Sequence, residues 1–208
     1  EAHPVPEVTY EEAAELAYFG AQVLHPRSMQ PCLKSGVPVR VKNSYNIDSP
    51  GSIIVENHTG EVPKVTAITS VKHVTLIDIN STRMLGSAGF LAHVFNNFLK
   101  WGISVDVIAT SEVSVSLTVN GKTDLTGLLG DLDHVADVEV QENKAIVTII
   151  CDADHSSSIL ASGFGALAEK GINVQMISQG ASKVNITVIC DDEETDDVVK
   201  TLHKAFFG

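Results

Sequence analysis

A chain of 208 residues, 44% apolar and 19% charged, has room for one large domain or two to three small ones and the composition of a folded soluble protein, not a disordered one. Its 14 Lys and Arg against 26 Asp and Glu leave a net charge of −12. That sign repels phosphate backbones and anionic membranes and, with no Lys/Arg cluster in the sequence, excludes nucleic acid and membrane as expected partners. Cys32, Cys151 and Cys190 are sparse, odd in number and free of CxxC or Cys/His ligand spacing, as expected of reduced, buried thiols in an intracellular compartment. No apolar run approaches membrane-spanning length. Glu1-Ala2-His3 opens the sequence without an initiator methionine, as in a processed chain or a piece of a longer one.

The first predicted element is a helix. Thr9 and Glu12 have capping-box spacing. Ala13, Leu16, Ala17, Ala21 and Leu24 then follow at helical intervals until Pro26 stops the run. Short strands are expected at Val37–Val41 and Gly51–Val55, around the turn-rich Asn43–Pro50. One helix and two strands cannot enclose a core, so residues 1–60 read as the edge of something larger, followed by a polar linker at Glu56–Pro63.

Beyond the linker the chain repeats itself. Gly102–Ile108 (GISVDVI) matches Gly171–Ile177 (GINVQMI) at an offset of 69 positions. At that offset the preceding helices align (Gly89–Lys100 with Ser158–Glu169), as do the strands before them (Thr75–Ile79 with Lys144–Thr148) and after them (Val113–Val119 with Val184–Cys190). A helix around Asp124–His134 and a strand at Asp137–Gln141 complete the first copy as βαββαβ. The second copy has strand Ala145–Cys151, helix Ser157–Lys170, strands Ile172–Ser178 and Val184–Cys190, and helix Asp192–Ala205, one strand short. The unassigned β-patterned run Val65–Val71 is expected to supply that strand, which makes the first module an insertion in the second. The fold class is therefore α+β, with tandem ferredoxin-like units.

One residue in this scaffold asks for a chemical explanation. Along Ile103–Thr110 the alternation predicts a core face of Ile103, Val105, Val107 and Ala109, with Ser104, Asp106, Ile108 and Thr110 opposite. A carboxylate amid β-branched residues is disfavoured by propensity and costly to bury unpaired. Asp106 reads either as a charge on an exposed sheet edge or as the partner of a cationic ligand group. The second copy carries neutral Gln175 at this place, so the scaffold does not require the charge, which favours a ligand.

The turn Ser81–Gly89 leads into the following helix. Gly86, Ser87 and Gly89 let backbone N–H groups approach a ligand, and a helix N-terminus attracts a carboxylate; an ordinary N-cap turn has the same composition. Together with Asp106 this suits a zwitterion, a basic amino acid best of all. Thr110-Ser111-Glu112 either joins the site or only turns the hairpin. Eight scattered histidines lack metal spacing, no metal or catalytic residue is expected, and no P-loop, GxGxxG or GxSxG motif is present.

Five segments give the sequence a family likeness: FGAQVLHPRSM (Phe19–Met29), VPVRVKNSYN (Val37–Asn46), STRMLGSAGFLA (Ser81–Ala92), ISVDVIATSEVSVSLT (Ile103–Thr118) and VQMISQGASKVNI (Val174–Ile186). In this order they resemble, over essentially the whole chain, the C-terminal part of aspartate kinases, the plant-type monofunctional, lysine-inhibited enzymes above all. The resemblance implies a parent phosphotransferase that uses ATP and Mg to convert L-aspartate to 4-phospho-L-aspartate, at the entry to lysine, threonine and methionine synthesis. It implies that residues 1–60 end the amino-acid-kinase catalytic domain and that paired ACT domains follow. The first occupies 72–143; the second is made of 64–71 and 144–208. It implies a homodimer through the ACT domains, with L-lysine as feedback inhibitor at the interface between first ACT domains. The matching positions are Met84, Ser87, Gly89, Phe90 and Leu91 at the helix start and Ser104, Val105, Asp106, Thr110, Ser111 and Glu112 on the strands. Plant-type members also admit S-adenosylmethionine as a second ligand. The compartment implied is the plastid for a plant or alga and the cytoplasm otherwise. The family's KFGG-type nucleotide motif and catalytic lysine are absent, so this chain alone is expected to need no cofactor and to phosphorylate nothing. Gly86 and Ala88 stand where some relatives carry larger polar residues. The rival readings are a structural ACT dimerisation module without a working effector site, and an independent enzyme built on residues 1–60.

Overall fold

The structure, a computed structural model, describes residues 5–21, 26–180 and 184–208, with the backbone alone at Pro26, Arg27 and Ala153. Its N-terminal unit is a three-stranded sheet, β1 (Glu7–Thr9), β3 (Ser52–Val55) and β2 (Val39–Val41) in that order. Two helices cover it, α1 (Tyr10–Tyr18) and α2 (Pro26–Ser35). Val8, Tyr10, Ala13, Met29 and Ile54 form the small core between them. The capping box closes as its spacing predicts: Glu12 N–H donates to Thr9 Oγ1 at 3.2 Å, and Thr9 N–H to Glu12 Oε2 at 2.7 Å.

Two expectations for this unit need correction. Helix α1 ends at Tyr18, short of the predicted run, because Gly20 turns the chain at φ +109 against the Ser70 carbonyl; Leu24 lies outside the described residues. Pro26 does not merely stop a helix but begins α2, whose first position loses nothing by lacking an N–H.

The rest of the chain builds a six-stranded antiparallel sheet ordered β5 (Ile108–Thr110), β6 (Ser114–Asn120), β4 (Val65–Asn80), β7 (Asp137–Cys151), β9 (Asn185–Asp191), β8 (Met176–Ser178). β4 and β7 are long enough to serve both repeats. Val65–Val71 pairs with the Ile146–Cys151 end of β7, whereas Val74–Asn80 pairs with β6 and with the Asp137–Lys144 end. The ribbon bends where the register shifts between Val71 and Val74, and there His73 (φ 59) and Asn143 (φ 57) take left-handed conformations, one on each strand. The run Val65–Val71 and the strand Thr75–Ile79, separate in the sequence reading, are thus one strand with a kink.

Helices α3 (Phe90–Lys100) and α4 (Thr126–Leu132) cover the first half-sheet, burying Ile77, Ile79, Val94, Phe98, Leu117 and Leu128. Helices α5 (Ser156–Glu169) and α6 (Thr195–Phe207) cover the second, burying Val147, Ile149, Ile159, Leu167, Val188 and Leu202. This is the tandem ferredoxin-like α+β architecture. A third cluster joins the helix-free faces: Val74, Leu76 and Val107 of the first module meet Ile146, Met176 and Ile189 of the second, with Phe19 inserted from the end of α1.

The predicted strand Ile103–Thr110 does not keep one face. Ile103 and Val105 pack under α3 and α4, while Val107 and Ala109 pack in the cluster between the modules. The cause is a bulge, in which two residues face one. Asp106 N–H donates to the Thr118 carbonyl at 2.9 Å, Thr118 N–H donates to the Val107 carbonyl at 3.0 Å, and Thr118 Oγ1 accepts the Val107 N–H at 3.1 Å.

Candidate functional site

At the end of β4 a short 3₁₀ turn, Thr82–Met84, leads to Gly89, the N-cap of α3, at φ +89. Glycine meets that conformation without strain, and the Gly89 carbonyl accepts the His93 N–H at 3.0 Å. Ser87 is exposed and Leu91 37% exposed, whereas Phe90 is buried and Met84 packs on the same core. The β5–β6 hinge stands beside this turn, where Ser81 N–H donates to the Val113 carbonyl at 2.9 Å. Thr110, Ser111 and Glu112 are exposed there. The Ser111 hydroxyl accepts the N–H groups of Val113 and Ser114 at 3.3 and 3.1 Å, so it builds the hairpin turn.

Ser104 is exposed and Val105 partly buried against the α3 core. Asp106 lies apart from the helix start, four residues before Thr110, a separation of roughly 13 Å along an extended strand. It faces a cleft of about 450 Å³ lined by Glu15, Tyr18 and Phe19 of the α1 end, Ile108 of β5, and Ser178, Asn185 and Thr187 of the second module. None of the residues from Met84 to Leu91 lines that cleft. Within one chain the fold therefore gathers the turn and the hinge on one surface and turns Asp106 to another.

The cleft is electrostatically unbalanced. Asp106 accepts the Tyr18 hydroxyl at 3.0 Å and Glu15 accepts the Asn185 side-chain amide at 2.7 Å. Among the described residues no Lys, Arg or His pairs with either carboxylate. Burial holds the Asp106 carboxyl above the usual aspartate range, against a smaller downward pull from Tyr18. Burial likewise raises Glu15, and burial with the neighbouring Asp106 charge pushes the Tyr18 phenol up to about 12. A half-buried carboxylate held this way, with one oxygen on a neutral donor, has acceptor capacity left for a cation. Among the described residues the second module has no such group at the matching place. Gln175 donates to Asp191 at 3.0 Å, and Asp191 already holds Lys144 at 2.6 Å.

Sequence reasoning missed Tyr18, Glu15 and Asn185. Tyr18 and Asp106 are 88 positions apart, and Glu15 and Asn185 170 apart, so no local pattern links them. The local signal is an acid and an aromatic three positions apart on one helix, Glu15 and Tyr18, a spacing that puts them on one face.

Paired βαββαβ modules, one of them with a glycine-rich helix start on one surface and an uncompensated carboxylate on another, define a regulatory protein of the ACT class. The ACT domain family matches residues 152–206, and the amino acid kinase family matches residues 1–43. Aspartokinase 3, chloroplastic, of Arabidopsis thaliana is 51% identical over 99% of this chain, which spans 38% of that protein. The structure of Escherichia coli aspartokinase III in complex with lysine and aspartate (T-state) superposes with a TM-score of 0.83 at 36% identity, covering 98% of this chain and 46% of the other. A C-terminal regulatory domain of aspartate kinase from Porphyromonas gingivalis is 30% identical with a TM-score of 0.59, covering 68% of this chain and 97% of that domain. The chain belongs to the aspartate kinase family and corresponds to its C-terminal part, with paired ACT regulatory domains.

Proposed function

We propose that this chain is the allosteric regulatory region of an aspartate kinase and that its first module binds L-lysine as feedback inhibitor. The observation that carries the reading is Asp106: a half-buried carboxylate with no cationic partner among the described residues, present in one module and replaced by Gln175 in the other. The ammonium group of the ligand takes Asp106, and its other end takes the backbone amides from Ser87 to Leu91 with the hinge Thr110–Glu112. The lysine in the complex of the E. coli relative supports the choice of ligand. Because one chain keeps Asp106 away from the helix start, the complete site forms between two first modules. The exposed apolar residues Leu85, Leu91 and Val113 around the turn give that pairing its contact surface.

Residues 1–60 are then the end of the kinase catalytic domain, 72–143 the first ACT domain, and 64–71 with 144–208 the second. The parent enzyme phosphorylates L-aspartate with ATP and Mg; this chain alone is a sensor without activity. The Arabidopsis relative's chloroplastic name supports a plastid location. S-adenosylmethionine is the second ligand to test. A competing reading, a structural dimerisation module, draws on the Ser111 hydroxyl being used up in its own turn. Calorimetric titration of the chain with lysine, threonine, methionine and S-adenosylmethionine separates the two. Saturable lysine binding supports the sensor. A dimer silent to all four ligands supports the structural module.

A further inference from the structure

The end of α1 is held by both modules at once. Tyr18 donates to Asp106 of the first module and Glu15 accepts from Asn185 of the second. Phe19 is buried between the two modules, and its carbonyl accepts the Thr69 hydroxyl of β4. The other end of α1 belongs to the N-terminal sheet: Thr9, its cap, is the last residue of β1, and the Tyr10 hydroxyl donates to the Val37 carbonyl. Helix α1 is thus gripped by the first module, by the second module and by the N-terminal unit together.

We propose that the Tyr18 hydroxyl and the ligand's ammonium group compete for the Asp106 carboxylate, so that ligand binding releases the C-terminal end of α1. The inference rests on the lysine reading above and adds how occupancy leaves the module. A hydrogen bond to an ionised carboxylate is about twice as strong as one to a neutral acceptor. Pairing the carboxylate with an ammonium draws off the charge that strengthens the Tyr18 bond. The phenol has no second acceptor among its hydrogen bonds in the cleft, and Tyr18 is 53% exposed, so leaving Asp106 exposes the hydroxyl to water at little loss of packing. Binding and release are then linked, each opposing the other by the same factor.

Tyr18→Phe removes the hydroxyl and keeps the ring that meets Phe19 edge-on at 5.1 Å. The test is lysine titration of the wild-type chain and of Tyr18→Phe by calorimetry, with amide hydrogen exchange of residues 10–18 measured with and without lysine. The proposal expects lysine to bind Tyr18→Phe more tightly, by about 5-fold or more at the low end of allosteric couplings. It also expects lysine to speed exchange in α1 of the wild type and to leave α1 of the variant unchanged. Equal or weaker binding by Tyr18→Phe, or an exchange response that survives in it, overturns the competition while the lysine site stands. A wild-type chain that binds no lysine overturns both.

Discussion

Ser178 Oγ donates to the Ile108 carbonyl at 2.9 Å, joining the two edge strands of the six-stranded sheet across 70 positions of sequence. The contact curls the sheet on itself, so its helix-free face becomes an interior. Phe19, 7% exposed, fills that interior from the end of α1. The modules and the N-terminal unit consequently share packing and do not merely follow each other along the chain.

Phe19→Ala should therefore destabilise more than its position at a helix end implies, by about 3–5 kcal/mol, as for a buried aromatic. Denaturant unfolding of the wild type and the variant measures this. A change below about 1 kcal/mol would mean that the modules do not depend on α1.

Glu12, 4% exposed, is a junction of three contacts. One oxygen accepts the Thr9 N–H at 2.7 Å and stands 3.0 Å from His58 Nε2, and the other accepts the Thr66 hydroxyl at 2.7 Å. Glu12→Ala removes a cap, typically worth about 1 kcal/mol, and leaves the buried Thr66 hydroxyl without its acceptor, about 1–3 kcal/mol more. Glu12→Gln keeps the acceptor to Thr66 and should lose less. Thermal melts of the two variants should rank in that order; equal losses would remove Thr66 from the account.

The kink of the β4–β7 ribbon makes an opposite pair of predictions at Asn143, whose φ is 57. Asn143→Gly should be neutral or stabilising, since glycine takes the left-handed region freely. Asn143→Val should cost about 1–2 kcal/mol, because a β-branched residue meets steric conflict there. Equal melting temperatures in the two variants would show that the kink does not depend on this conformation.

Lysine affinity should depend on pH through Asp106. Its carboxyl is raised in the folded chain by burial, above the ordinary value near about 3.9. The folded state therefore holds this proton more tightly than the unfolded state. The ionised group costs stability, a cost absent below the unfolded pKa and complete once pH rises past the folded one. Asp106→Asn should accordingly be no less stable than wild type at neutral pH. Lysine binding needs the ionised form, so affinity should fall as pH drops through the raised value, the loss beginning at a higher pH than an ordinary aspartate would give. An affinity flat down to about pH 4 would place the ammonium elsewhere.

Much of this architecture is legible in the chain because its markers are local. Gly102 and Gly171, 69 positions apart, each follow a helix and take positive φ, at 64 and 71. The motif they anchor announces two modules of one kind. The single strand β4 was not legible as one, since Lys72 and His73 interrupt its apolar alternation at the kink. The bulge at Asp106–Val107 was hidden for a different reason: it is set by Thr118 on the neighbouring strand, which periodicity along one strand does not report. Asp106 itself stood out as a carboxylate set in a β-branched strand, and its contrast with Gln175 marked the module that carries it. Its actual neighbour, Tyr18, comes from a helix that sequence spacing places in another unit. A contact made only by the assembled fold leaves no trace in local pattern.

The most direct test is a paired calorimetric titration of lysine into the wild-type chain and into Asp106→Ala, with a thermal melt of each. Charge-assisted hydrogen bonds contribute about 1.5–3 kcal/mol, so the variant should bind lysine about 10-fold or more weakly and melt at or above the wild-type temperature. Equal affinity in a folded Asp106→Ala chain would contradict the assignment of Asp106 as the ammonium partner and, with it, the sensor built around this residue.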